Sequence, residues 1–140
     1  MYRTKDLIYL EPKQRQIKAE ILDIFIEVFM ARNALLEKYE FKVDSRFMYS
    51  LARKASLLAI SEGSWEKTIQ SIVLSLEKSL TSHLLYIRNE QERKDFFQEA
   101  CTLIIKVDKL KEERPSILDN LPPPFRITLA KAQESQGNSG

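Results

Sequence analysis

Between Pro12 and Pro115 the chain contains no proline and a single glycine, Gly63. Proline in a helix interior removes an amide donor and clashes with the preceding turn, and glycine costs about 1 kcal/mol there. A long stretch almost free of both is predisposed to helix, and the apolar spacing then decides where each helix runs. From Pro12, which suits a first turn, Ile17, Ile21, Ile24, Val28, Ala31 and Leu35 step by four and three residues, the spacing of one helical face. Leu22, Phe25, Phe29 and Leu36 form a second line beside the first. The apolar surface is wide, so this first helix, running to about Tyr39, is expected to touch two neighbours.

Asp44 and Ser45 are good N-cap residues. They open a second helix with Phe47, Met48, Leu51, Ala55 and Leu58 inward, and Gly63 suits the left-handed residue that follows a helix. Ser64 caps a third helix, whose first turn holds Glu66 where the helix dipole favours negative charge. Its apolar line is Ile69, Val73, Leu76, Leu80, Leu84 and Ile87. Asn89 ends it or caps a fourth helix near 91–113, with Phe96, Ala100, Leu103, Val107 and Leu110 inward and Pro115 as the stop. The predicted fold is all-α: an antiparallel up-and-down four-helix bundle over 12–114. An N-terminal arm (1–11) precedes it. A proline-broken tail (115–140) follows, with Phe125, Ile127 and Leu129 offered to a contact and a polar, disordered end.

Composition narrows the function. Charged residues make up 30% of the chain and hydrophobic ones 44%, a soluble globular balance. No run of eighteen apolar residues exists, so a membrane span is not expected. The start, with Asp6 and Glu11 among its apolar residues, lacks the apolar core of a signal peptide. Cys101 is the only cysteine, which excludes an internal disulfide and makes a reducing, cytoplasmic setting the expectation. The net charge of +2 is far from the basic stripe of an autonomous DNA-binding domain.

Catalytic equipment is sparse. A di-metal site in a bundle needs Glu-x-x-His pairs, and the one histidine, His83, follows Leu80 by three. There is no glycine-rich phosphate loop. Helical ribonucleases of the HEPN type place an arginine four to six residues before a histidine, whereas positions 77 to 79 are Glu, Lys and Ser. His83 reads as a core-edge histidine with one hydrogen bond, and Cys101 as a small hydrophobe. No catalytic residue, cofactor or metal is expected, and the chain does not read as an enzyme.

Two features remain. On a wheel of about 100° per residue, Thr68, Ser71, Ser75, Ser79, Ser82 and Tyr86 share an arc of about 80°, beside the apolar arc and away from the charges. Small hydroxyl residues are poorer helix formers than the Lys and Glu of an ordinary solvated face. Three readings stand: a solvent-facing strip, a close approach at a subunit interface, or a strip that bonds the phosphates or sugars of a nucleic acid. Lys42, Arg46, Arg53 and Lys54 form a basic group on the second helix, with Tyr49 nearby. They are candidates for contact with phosphate or with a protein partner.

Arg53-Lys54-Ala55, running into Ile60-Ser61-Glu62-Gly63 with Trp65 beyond, resembles a segment of the small four-helix-bundle proteins encoded in ribosomal RNA intervening sequences. That family includes the accessory proteins of diversity-generating retroelements. The early Asp6-Leu7-Ile8-Tyr9 is similar to the family's entry to its first helix. The basic pair stands about three residues nearer the glycine than in the common pattern, and the second helix lacks the usual proline. The retroelement members form barrel-like pentamers that bind a reverse transcriptase and its template RNA. The resemblance thus implies a non-catalytic subunit, with protein partners and RNA. The rival reading is a regulatory or inhibitor protein that binds one protein partner and no nucleic acid.

Overall fold

The computed structural model of the protein describes residues 12–60 and 63–121. Its helices are α1 (Pro12–Lys38), α2 (Arg46–Ile60), α3 (Trp65–Leu84) and α4 (Glu90–Asp108), followed by 3-10 turns at Lys109–Glu112 and Ser116–Asn120. No strand occurs among the described residues. Helix α1 packs on α2 and α4, and α3 packs on the same two. The connections between successive helices are short, which makes neighbours antiparallel. The fold is the expected all-α four-helix bundle. The arm 1–11 and residues 122–140 of the tail lie outside the described residues.

Capping follows the sequence closely. The Asp44 carboxylate accepts the Arg46 amide at 3.0 Å, Ser64 Oγ accepts from Lys67 at 3.4 Å, and Asn89 Oδ1 accepts from Glu92 at 2.9 Å. Each satisfies an amide that the first turn of a helix leaves open. The end of α1 was not foreseen. Glu40 adopts φ 65°, with Glu40 N–H bonded to the Glu37 carbonyl at 2.9 Å and Phe41 N–H to that of Leu36 at 3.0 Å. This is a Schellman ending with glutamate where glycine is usual. Among the described residues no glycine has positive φ. Gly63 is the one glycine among them, so the left-handed role expected of it is not observed.

The core is one cluster. Phe25, Leu36, Leu51, Leu58, Ile69, Ile72, Leu76 and Phe96 are all fully buried, each worth about 1.5–3 kcal/mol of apolar burial. The small Ala55 and Ala59 are buried as well, and α1 with α2 forms the most extensive helix pair of the bundle. Trp65 stacks on Phe25 with centroids 5.8 Å apart, and its indole N–H donates to the Leu110 carbonyl. That bond lies where α4 tightens from α to 3-10 geometry, so the fourth α-helix ends at Asp108 rather than near 113. Leu118, in the second 3-10 turn, is 4% exposed. The first part of the tail therefore completes the core floor instead of hanging free.

Candidate nucleic-acid and partner interface

Helix α2 carries Arg46, Arg53 and Lys54 and no carboxylate along its whole length. Its residues divide by angle. Phe47 packs on Phe29 of α1, ring centroids 6.5 Å apart. Phe47, Leu51, Ala55 and Leu58 face the core, Ser50 and Lys54 lie half-buried at its margin, and an outward stripe carries Arg46, Tyr49, Arg53 and Leu57 at steps of three and four. The burial pattern agrees: Tyr49 is 70% and Leu57 51% exposed, Arg46 and Arg53 are exposed, and Lys54 is half-buried. Lys42 is exposed in the loop just before the helix. The four predicted basic residues are thus not one cluster. Lys42, Arg46 and Arg53 face solvent, and Lys54 is half-buried.

Electrostatics separate them further. Arg46 Nη2 lies 3.3 Å from Asp44, an exposed pair of the kind worth little in water. Lys54 Nζ donates to Ser50 Oγ at 3.1 Å. Burial, and then the neighbouring Arg53 charge, pull the Lys54 pKa below the usual lysine value. Asp44 is held below the ordinary carboxylate range first by the Arg46 amide hydrogen bond.

Thr68, Ser71, Ser75 and Ser79 are half-buried, while Ser82 and Tyr86 are exposed. Thr68 Oγ1 donates back to the Ser64 carbonyl at 3.0 Å. Ser79 is already in use inside the bundle: its Oγ accepts from Arg32 Nε at 3.2 Å and Nη2 at 3.1 Å. Arg32 is 6% exposed, its guanidinium 4.9 Å from the Phe47 ring and bonded to Asn33 Oδ1 at 2.9 Å. Burial lowers its pKa and the Asp44 charge opposes that shift; arginine remains protonated regardless. A buried cation explains one of the serines, and the strip as a separate face shrinks to Thr68, Ser71, Ser75 and Ser82.

Arg32 was missed in the sequence, although the signal was there: it follows Val28 by four and precedes Leu35 by three. His83 behaves as expected of a core-edge residue. It is half-buried, its ring packs edge-on to Phe41 with centroids 4.8 Å apart, and Nδ1 lies 2.7 Å from the Ser79 carbonyl, so Nδ1 carries the proton. Cys101 is half-buried. Among the described residues, no group of three His, Cys, Asp or Glu side chains could hold a metal ion, and no helix is long and apolar enough to cross a membrane.

Compared with family models, curated proteins and solved structures, the chain finds no match in any of the three.

Proposed function

We propose that this chain is a non-catalytic helical-bundle subunit that self-associates or docks on a larger protein within an RNA–protein complex, with the outer face of α2 as its contact surface. One observation carries the reading: a helix without a carboxylate presents Tyr49 and Leu57, both more than half exposed, on either side of Arg53. Bases stack on exposed aromatic rings and phosphates pair with the arginines between them, a combination that binds single-stranded nucleic acid without reading its sequence. The likeness of Arg53 to Gly63 to intervening-sequence and retroelement accessory proteins supports the same class of partner. Ser71, Ser75 and Ser82 of α3 offer further neutral donors. The reducing, cytoplasmic setting expected from a single cysteine belongs to this proposal.

A second reading has its own support. Leu85 and Tyr86, in the turn after α3, are 80% and 75% exposed, and Arg93 braces that turn through the Ile87 and Arg88 carbonyls. A rigid turn with two large exposed side chains suits a protein that binds one protein partner and no nucleic acid. Mass in solution, with and without a single-stranded RNA oligonucleotide, tests the first reading. A complex whose stability falls with salt is expected. A strict monomer indifferent to RNA overturns it.

A further inference from the structure

Helix α4 carries a second apolar stripe besides the one that enters the core. Phe96, Ala100 and Val107 are its buried residues. Turned away from them, Phe97 is 55% and Ile105 57% exposed, with the half-buried Cys101 between. Exposed Lys94 and Asp108 stand at the two ends. At about 100° per residue these five side chains share an arc of about 80°. Their steps are three, four, four and three residues, so the spacing reads the same from either end, with Cys101 at the centre.

The chemistry is self-complementary in the same way. A two-fold contact sets residue i against j and j against i. With α4 antiparallel to that of a second copy and the axis at Cys101, Phe97 meets the partner's Ile105, and Lys94 meets the partner's Asp108, each twice. A parallel pair would set lysine against lysine and aspartate against aspartate, which repel. Within the chain, Lys94 lies 4.0 Å from Glu90 and Asp108 lies 2.8 Å from Lys111. Both pairs span one turn at the surface, where such contacts are worth little. A small residue on the axis lets two helices approach closely. Beside Phe97 a hollow of about 370 Å³ has Leu84 and Phe97 as its apolar lining and Glu90, Arg93, Lys94 and Gln98 as its polar lining. In the antiparallel pair the partner's Ile105 comes to this hollow.

We propose that α4 is a homodimer surface, on which two copies pair antiparallel along Phe97, Cys101 and Ile105, with Lys94 and Asp108 setting the register. The proposal rests on the self-association in the reading above and gives it a surface apart from the outer face of α2.

The test is sedimentation equilibrium of the full-length chain. Four large apolar side chains make a small interface, so a dissociation constant of about 10–100 µM is expected. Ile105 is exposed in the single chain, so Ile105→Asp should keep its helicity. Setting two carboxylates against Phe97 rings should weaken pairing at least about thirtyfold. Lys94→Asp and Asp108→Lys should each weaken it about tenfold, and the double exchange should restore it, because opposite charges again face each other. A short bismaleimide should link two copies through Cys101 in the wild-type chain and not in Ile105→Asp. Retention of a single-stranded RNA is measured on the same samples. A dimer whose affinity survives Ile105→Asp uses another face and overturns the α4 pair. Two charge exchanges that fail to rescue each other overturn it as well. A chain still monomeric at about 1 mM that retains RNA overturns the α4 pair alone, and one that ignores RNA overturns the reading of the α2 face with it.

Discussion

Replacing Ser79 by alanine isolates the one hydroxyl of the α3 strip that the bundle itself uses. Ser79 Oγ is the acceptor for two N–H groups of Arg32, at 3.2 and 3.1 Å, on a residue 6% exposed. Hydrogen bonds to a charged group are worth about 1.5–3 kcal/mol, and the loss is greatest when the stranded donor is buried. Alanine returns about 0.5 kcal/mol as the better helix former, so the net cost of Ser79→Ala should be about 2 kcal/mol. For a chain of this size that lowers the melting temperature by roughly 4–8 °C. Ser75→Ala, one turn earlier and half-buried, should be neutral or slightly stabilising. Urea denaturation of Ser79→Ala, Arg32→Met and the double variant completes a cycle. Exchanging a buried charge for an apolar chain of similar length is often tolerated, so Arg32→Met should fold. In that background Ser79→Ala should lose its cost, giving a coupling of about 1–2 kcal/mol. If Ser79→Ala matches Ser75→Ala, or costs as much without Arg32 as with it, the buried cation is not what holds this serine.

Glu40→Gly should stabilise the bundle by about 1 kcal/mol, because glycine takes positive φ without the side-chain clash that glutamate carries; chemical denaturation measures it. The Tyr39 hydroxyl donates to Glu99, and this bond, ahead of burial and the nearby carboxylates, pushes the tyrosine pKa up to about 12. The folded state keeps a proton that the unfolded chain loses near pH 10, so this part of the stability is intact below pH 10 and lost as the pH rises toward 12. Ultraviolet titration should place one late tyrosine, and Glu99→Gln should bring it earlier. Glu99 itself is held low by Lys38 first and Tyr39 second, so its contribution disappears when pH falls below the usual carboxylate range. On the α3 strip, Ser75→Glu should weaken RNA retention in a gel-shift assay while Ser75→Arg preserves it, since the sign of the charge is what phosphate feels.

Local signals carried most of the fold. Apolar residues at three- and four-residue steps placed every helix, and Pro12, Ser64 and Asn89 marked their starts, because these features act within one turn. What the sequence hid depends on distance. Arg32 meets Ser79 across 47 positions, and the step pattern alone does not say what satisfies a buried guanidinium. The ending at Glu40 carries no glycine or asparagine to announce it. Lys54 and Arg53 are adjacent in sequence, yet one helical step leaves the first half-buried and the second exposed. In the candidate surface the residue types were legible, but their division between exposed and half-buried positions was not.

The outer face of α2 is tested most directly by the salt dependence of single-stranded RNA affinity, measured for the wild-type chain and for Arg53→Glu. Arg53 is exposed, so the substitution should leave stability within about 0.5 kcal/mol. If α2 meets phosphate, the wild-type affinity falls linearly with salt on logarithmic axes, and Arg53→Glu weakens it at least about tenfold and lowers the slope by about one. An RNA affinity identical in the two proteins, or none in either, contradicts the assignment of α2 as the RNA-facing surface.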